Sequence, residues 1–139
     1  MSTAIREASI ELSPPFHDVD SMRVVWHGNY LRYFELARCA LLKSFGYDYL
    51  DMEASGYLWP VVDLRVKYVK PTRYDQPIRV TARLVEFENR MKINYLIEDQ
   101  ATGAKLTEGY TIQVAVAMAS GEMEFVSPPV LRQKLGLDE

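Results

Sequence analysis

The C-terminal two thirds of the chain alternates apolar and polar side chains with a period of two, which is the pattern of β-strands that bury one face. Four segments carry this pattern, with apolar positions at Val62, Leu64, Val66 and Tyr68; Ile78, Val80, Ala82 and Leu84; Met91, Ile93, Tyr95 and Ile97; and Leu106, Tyr110, Ile112, Val114 and Val116. We therefore predict four antiparallel strands, the last running from about residue 105 to residue 118. A weaker alternation over residues 8–12 predicts an edge strand.

The other face of the last predicted strand carries small and polar residues, namely Thr107, Gly109, Thr111, Gln113, Ala115 and Ala117. Such a surface allows another element to pack closely against it. Between the first strand and the rest, apolar residues recur at helical spacing, namely Tyr30, Phe34, Ala37, Leu41 and Phe45. This spacing predicts one long helix, with Asn29 as its N-cap and Gly46 as its C-terminal stop. Shorter helices are predicted over residues 47–54 and after Ser127.

One strand, one long helix and four antiparallel strands define an α+β domain in which a sheet wraps around a single helix. A chain of 139 residues with 48% hydrophobic content is sufficient for one domain spanning residues 1–139. One helix covers only one face of a sheet, so the edges and the opposite face need charge or a partner. We expect a second copy of the chain to supply it, as a homodimer at least.

Charge and composition exclude several classes of function. Sixteen Lys and Arg residues against 19 Asp and Glu argue against a nucleic-acid-binding domain. Charged residues in the first 11 positions and the lack of a long apolar run predict neither a signal peptide nor an integral membrane segment. A single cysteine and two histidines predict no disulfide and no structural metal site, so we expect a cytoplasmic protein.

The densest group of polar and aromatic residues lies in residues 16–30, directly before the long helix, and contains both histidines. A carboxylate beside the free amides of a helix start can serve acyl chemistry, because the amides hold an oxyanion while the carboxylate attacks or activates water. Asp20 and His27 are the candidates for this role. The alternative is structural, since Asp and Asn before a helix commonly form caps and turns.

Two other residues have structural interpretations. Glu35 is expected to pair with Arg32 or Arg38, and Cys39 is expected in the core, because it lies inside the helix with no histidine nearby in sequence. The common nucleotide-binding and serine-nucleophile motifs, GxGxxG, GxxxxGK[ST] and GxSxG, do not occur.

The run DVDSMRVVWHGNYLRYFELAR resembles the opening motif of hotdog-fold thioesterases of the 4-hydroxybenzoyl-CoA thioesterase type, in which an aspartate, an apolar pair, an aromatic residue and an Asn-Tyr pair precede a long helix. The segments YVKPTRYDQPIRV and TEGYTIQVAVAMASGEMEFVSPPV resemble later parts of the same family, so the resemblance covers nearly the whole chain. It implies a hotdog fold, in which an antiparallel sheet wraps a long helix, two copies join their sheets, and two dimers often form a tetramer.

By position in the motif, the resemblance implies that Asp20 is the catalytic aspartate, acting as nucleophile or general base. The backbone amide of His27 matches the donor that polarises the thioester carbonyl, and its side chain matches the histidine of the acyl-CoA branch. Asn29 and Tyr30 match a pair that shapes the loop against substrate, and Arg90 is the best match to the cations that contact CoA phosphates. The implied reaction is hydrolysis of an acyl-CoA thioester, with no cofactor beyond the CoA of the substrate.

The sequence departs from the family pattern at Ser21, Met22 and Arg23, where small or glycine-containing residues are usual, and it has fewer cations near Arg90. The acyl group is therefore expected on CoA or on an acyl carrier protein. Two other functions remain open. A hotdog enoyl-thioester hydratase or dehydratase would use His27 with Asp20 to move a proton, and a non-catalytic module would bind acyl groups without turnover.

Overall fold

The computed structural model describes residues 4–137 and contains the predicted succession of strands and helices. The strands are β1 (Arg6–Leu12), β2 (Tyr57–Leu58), β3 (Val61–Tyr68), β4 (Ile78–Glu86), β5 (Met91–Asp99), β6 (Lys105–Gln113) and β7 (Val116–Ala117). The helices are α1 (Tyr30–Ser44), α2 (Tyr49–Ala54) and α3 (Pro129–Lys134), and short 3-10 turns occur at Phe16–Asp18 and His27–Asn29. The predicted α+β class is confirmed.

The main sheet is antiparallel, with the strand order β1-β4-β5-β6-β3. Its two edges are therefore β1, which was predicted over residues 8–12 and begins at Arg6, and β3. The short strands β2 and β7 pair with each other as a separate ribbon. This order places the first and third strands of the chain at opposite edges, with the two central hairpins between them.

Helix α1 packs over the β1 and β4 side of the sheet. The predicted inward faces of β4 and β5 form the core, and their side chains have an exposed fraction of 2% or less: Ile78, Val80, Ala82, Leu84, Met91, Ile93, Tyr95 and Ile97. Each large aliphatic side chain buried in this way contributes about 1.5–3 kcal/mol to folding. The alternating pattern thus predicted both the strands and the face that α1 covers.

The alternating pattern of β3 correctly predicted which side chains share the face toward α1, but it wrongly predicted that this face is buried. Leu64, Val66 and Tyr68 lie opposite Thr111, Gly109 and Thr107 of β6, on the side of the sheet where α1 packs. Leu64 and Tyr68 are nevertheless 43% and 49% exposed, because α1 does not reach across the sheet to this edge. The result is an edge strand that pairs on one side only, with β6, and has an uncovered apolar face.

The predicted strand over residues 105–118 is interrupted, because β6 ends at Gln113 and β7 turns away to pair with β2. The small and polar face of β6 is packed closely, as predicted, with Thr107, Thr111 and Gln113 at most 3% exposed. Gly109 lies beneath α1, where an added Cβ would stand 3.0 Å from the Phe34 ring and 2.1 Å from the Arg65 carbonyl oxygen. Only glycine fits at this contact.

The two predicted ends of α1 differ in outcome. Gly46 has φ +72°, the left-handed conformation of a helix C-terminal stop, as predicted. Asn29 precedes the helix, but its side chain does not cap it, because its backbone is itself helical at the end of the 3-10 turn. The side-chain amide of Asn29 instead donates to the carbonyl oxygen of Asp18 at 2.9 Å, so Asn29 occupies the predicted N-cap position but makes no capping hydrogen bond.

Replacing Gly46 with alanine should lower the free energy of unfolding by about 1 kcal/mol, because an L-residue is strained at positive φ. No atom lies within 4 Å of the added Cβ, so the loss reports backbone strain alone. Urea denaturation measures this loss in the free energy of unfolding. Gly46→Asn should lower that free energy by less than Gly46→Ala, because asparagine tolerates the left-handed conformation. Equal stability of wild type and the alanine variant would contradict the assignment.

Candidate active site

The loop before α1 folds back on itself as a small hairpin. Val19 and Val25 form an antiparallel bridge, and the Asp20 amide donates to the Val24 carbonyl oxygen at 3.0 Å. At the tip, the Arg23 amide donates to the Asp20 carbonyl oxygen at 2.9 Å. Asp20 Oδ1 accepts the Met22 amide at 2.8 Å, while Oδ2 accepts no hydrogen bond from residues 4–137. The Asp20 carboxylate is thus held in place with one oxygen free.

Asp18 anchors this hairpin to α1. Its side chain is 2% exposed and accepts hydrogen bonds from the Arg32 guanidinium and, at 2.6 Å, from the Tyr33 hydroxyl. Its carbonyl oxygen accepts the amide of Trp26 and the side chain of Asn29, both at 2.9 Å. Both ends of the hairpin are therefore tied to the first turn of the helix through one residue.

These contacts also set the ionisation of Asp18. Burial by itself would raise the pKa of its carboxyl, but the hydrogen bonds from Tyr33 and Arg32 and the charge of Arg32 together hold that pKa below its usual value. Burial and the Asp18 carboxylate raise the pKa of the Tyr33 hydroxyl. Asp18 is therefore a charged structural anchor, and its carboxylate oxygens accept hydrogen bonds from Arg32 and Tyr33.

Asp20 lines a cavity of about 320 Å³ that we call the inner cavity. Its lining is mostly apolar and aromatic: Asp20, Met22, Val24, Val25, His27, Tyr30, Tyr68, Val69, Lys70 and Pro71. The Tyr30 hydroxyl accepts the Thr72 amide at 3.2 Å, and the Tyr68 hydroxyl donates to the His27 carbonyl oxygen at 2.7 Å. An aspartate and residues at the start of α1 therefore line one largely apolar cavity.

The His27 backbone amide has no hydrogen-bond partner among residues 4–137. Its peptide is fixed because the Trp26 carbonyl oxygen accepts the Asn29 amide at 2.9 Å. The His27 imidazole is exposed and rests on the Trp26 ring at a centroid distance of 4.8 Å. A fixed, unused N–H beside a carboxylate can stabilise an oxyanion.

A second cavity, of about 530 Å³, also has Asp20 in its lining, and we call it the outer cleft. Its lining consists of Phe16, Val19, Asp20, Ser21, Arg23 and Tyr74. Asp20 is the residue that the two linings share.

The structure brings together three of the five predicted site residues, Asp20, His27 and Tyr30, around the inner cavity. Asn29 lies behind them and holds the loop. Arg90 lies in the turn between β4 and β5 and pairs with Glu86 at 3.2 Å, while the inner cavity lies beside the opposite end of β4. Its role in substrate binding remains a prediction.

Sequence reasoning missed Tyr68 and Asp18 as parts of this site. Tyr68 follows the alternating pattern of β3 and gave no other signal. The expected ion pair of Glu35 is wrong, because Arg32 binds Asp18 and the Arg38 guanidinium donates to the hydroxyls of Tyr49 and Tyr95. Cys39 is half-buried rather than fully in the core.

Among residues 4–137, no three His, Cys, Asp or Glu side chains lie close enough together to hold a metal ion. No helix in the same part of the chain is both long and apolar enough to cross a membrane.

Comparison with known families gives a match over most of the chain. The sequence profile of the thioesterase-like superfamily matches residues 14–135. The chain belongs to the thioesterase-like superfamily. The match includes the hairpin, α1 and all the strands after it, so this superfamily member carries its candidate site inside the matched region.

Two relatives of this superfamily member have provisional names of the same kind. A Synechocystis protein named as an esterase is 32% identical over 93% of this chain and 77% of its own length. A Bacillus subtilis protein, YneP, named as an acyl-CoA thioesterase, is 42% identical over 48% of each chain, so the match spans about half the length of that relative. The enzyme class expected from the sequence, a thioester hydrolase, agrees with these names.

Solved structures confirm the expected hotdog fold of this superfamily member. A DHNA-CoA thioesterase from Staphylococcus aureus has a TM-score of 0.77 and 29% identity, over 84% of this chain and 78% of that one. The Thermus thermophilus protein TT1821 has a TM-score of 0.81 and 27% identity, over 94% and 99%. The predicted resemblance is therefore correct in family and fold.

Replacing Asp18 with asparagine should lower the free energy of unfolding at pH 7 by about 1–2 kcal/mol, because the charged hydrogen bonds to the anchor are lost. Since the folded-state pKa of Asp18 is lowered, its contribution is complete above the ordinary aspartate pKa, about 4, and disappears as pH falls through the folded-state value. The difference between variant and wild type should therefore shrink below pH 4. Denaturant titrations at several pH values measure it.

Tyr33→Phe removes one of the groups that lower this pKa and should give an intermediate pH dependence. A difference between Asp18→Asn and wild type that stays constant from pH 7 to pH 3 would rule out a charged anchor.

Proposed function

We propose that this protein hydrolyses acyl thioesters, carried on CoA or on an acyl carrier protein, to a free acid and a thiol. The observation that supports the proposal most strongly is that Asp20, which has one carboxylate oxygen free, and His27, whose backbone amide has no partner among residues 4–137, line the same largely apolar cavity. The names of the relatives agree with this chemistry.

In the proposed reaction, the acyl chain occupies the inner cavity and its carbonyl oxygen accepts the His27 amide. Asp20 removes a proton from a water molecule as that water attacks the carbonyl carbon. The oxyanion that forms is held by the amide, and collapse of this intermediate breaks the carbon–sulfur bond. The thiolate leaves and takes up the proton, so the reaction needs no cofactor beyond the substrate's own CoA.

A covalent route uses the same groups. Asp20 Oδ2 attacks the carbonyl carbon directly, the thiolate leaves, and water then hydrolyses the mixed anhydride. In both routes the His27 side chain is an auxiliary group, because its imidazole rests on Trp26 while its backbone makes the proposed contact. Asn29 and Tyr30 support the loop and the pocket floor in this proposal.

Replacing Asp20 with asparagine should reduce thiol release by at least about 100-fold, because general-base or nucleophilic catalysis contributes on that scale. A screen of short, long and aromatic CoA thioesters and an acyl carrier protein thioester measures it, with free thiol as the readout. Asp48→Asn is the matched control, since asparagine also caps α2 and Asp48 lies outside both cavities.

Wild-type rates in the Asp20→Asn variant would contradict the assignment. Hydration of an enoyl thioester without release of thiol would instead support a hydratase, in which Asp20 and His27 transfer a proton at the substrate carbon. Binding of thioesters without turnover by the wild type would indicate an acyl-binding module.

We also propose that two copies join at β3 and that pairs of dimers can assemble further. The outer edge of this strand has no partner strand among residues 4–137, and four of its apolar side chains are 41–56% exposed: Val61, Val62, Leu64 and Tyr68. An uncovered apolar edge strand can pair with a strand of another chain, because its outward backbone N–H and C=O groups have no partners. Because Tyr68 also lines the inner cavity, the second copy would close that cavity against water. A cytoplasmic location fits the single, unpaired cysteine.

Leu64→Lys should convert the dimer to a monomer, because it places a charge on the joined edge. Leu50→Lys is the matched control, since Leu50 is exposed on α2 away from β3. Size-exclusion chromatography with light scattering measures the mass. The proposal fails if the wild type is a monomer, or if Leu64→Lys has the same mass as wild type.

A further inference from the structure

Tyr68 connects an edge strand of the sheet to the loop that carries the candidate site. It is the last residue of β3, and its hydroxyl donates to the His27 carbonyl oxygen at 2.7 Å, across 41 positions of the sequence. It is about half exposed and lines the inner cavity together with His27. One side chain therefore belongs to the cavity, to the edge strand and to the turn before α1.

The turn before α1 is held at its two ends by other residues of the loop. The Trp26 amide at one end and the Asn29 side chain at the other both donate to the Asp18 carbonyl oxygen at 2.9 Å. The Asn29 amide also donates to the Trp26 carbonyl oxygen at 2.9 Å. None of these bonds holds the His27 carbonyl group between the two ends. In the described part of the chain, the side chain that donates to this group is Tyr68.

The His27 carbonyl group belongs to the peptide bond that precedes Gly28. Glycine has no Cβ, so rotation on its side of this peptide is less restricted than it is at other residue types. The Trp26 ring lies only 2.2 Å from where a Cβ of Gly28 would stand, so a larger residue fits here only if that ring moves. A hydrogen bond to the carbonyl oxygen is therefore what restrains this peptide.

The direction of the His27 amide depends on the two peptides that flank its Cα. The amide belongs to the first of them, whose Trp26 carbonyl oxygen accepts the Asn29 amide. The His27 carbonyl oxygen belongs to the second, which Tyr68 holds. With both peptides held, the backbone at His27 keeps one conformation. This matters for catalysis because a donor stabilises an oxyanion most when it is held in place before the reaction.

Aromatic contacts hold the Tyr68 hydroxyl in position. The Tyr68 ring meets the Tyr30 ring edge to face at a centroid distance of 5.2 Å, and Tyr30 meets Tyr33, the partner of Asp18, at 6.2 Å. Burial and the neighbouring Tyr30 raise the pKa of the Tyr68 hydroxyl above its ordinary value, so it keeps its proton at neutral pH and remains a donor. A row of tyrosine rings thus joins the end of β3 to the anchor of the loop.

We propose that Tyr68 is a positioning residue for the oxyanion donor: its hydroxyl holds the His27 carbonyl oxygen and so keeps the His27 amide in the orientation that binds the thioester carbonyl. The proposal rests on the proposed thioesterase function and extends it by a residue that acts through the backbone of another. Because Tyr68 lies on β3, the orientation of the amide then depends on the strand at which two copies are proposed to join.

The first test is kinetic. Tyr68→Phe removes the hydroxyl and keeps the ring in the cavity wall. It should lower kcat for release of thiol from a CoA thioester about tenfold and leave KM within about twofold of wild type, because a misplaced donor weakens the transition state more than the bound substrate.

Tyr110→Phe is the matched control, because Tyr110 lies on β6 outside both cavities, with its ring against Lys92. It should keep the wild-type kcat. A wild-type kcat in Tyr68→Phe, or a loss that appears in KM alone, would overturn the proposal.

The second test does not depend on turnover and observes the loop in the free protein. Nuclear magnetic resonance of the backbone amides should show a single conformation at His27 and Gly28 in the wild type and in Tyr110→Phe. In Tyr68→Phe, the same two amides should show exchange on the microsecond to millisecond timescale. Wild-type relaxation at these amides would refute the proposal. Broadening spread evenly over α1 and the sheet would also refute it, because it would show a general structural role.

The third test observes the proposed contact itself. Asp20→Asn should leave a bound thioester intact, so infrared difference spectra with an isotope-labelled carbonyl report its hydrogen bond, which lowers the stretching frequency. Adding Tyr68→Phe to this variant should raise the frequency toward that of a carbonyl without the bond, and an unchanged frequency would contradict the proposal. If the frequency shifts as expected but the wild type hydrolyses no thioester, the proposed function fails and the positioning role of Tyr68 stands.

Discussion

The buried carboxylate of Asp18 joins the loop before α1 to the helix itself. Arg32 and Tyr33 donate to its side chain, and Trp26 and Asn29 donate to its carbonyl oxygen. A buried charge is stable only when it is paired and hydrogen-bonded, and these contacts satisfy that condition. Because they hold both ends of the hairpin, they also determine where Asp20 and the His27 amide point.

Two aspartates two residues apart therefore have different parts in the structure. Asp18 uses its oxygens for internal contacts, whereas Asp20 keeps one oxygen free and lines both the inner cavity and the outer cleft. A rigid anchor close in sequence to a free carboxylate preorganises a reactive site, because the reacting groups are already held in position before the substrate binds.

The sequence predicted the strands, the long helix and the fold family, because alternation and helical spacing follow directly from which side chains are buried. It could not predict that Leu64 and Tyr68 stay exposed, since a pattern indicates a face but not how far α1 extends over it. It could not separate Asp18 from Asp20, because their difference depends on contacts with Arg32 and Tyr33. For the same reason the sequence placed the N-cap at Asn29 correctly but could not predict that its side chain donates to the Asp18 carbonyl oxygen instead of capping α1.

The central claim is that a thioester carbonyl lies between Asp20 and the His27 amide. A crystal structure with an acyl-CoA analogue tests it most directly, when a methylene group replaces the sulfur and the carbonyl is retained. The account predicts the carbonyl oxygen about 3 Å from the His27 nitrogen, with the Asp20 carboxylate beside the carbonyl carbon. A carbonyl bound away from this pair of groups would contradict it.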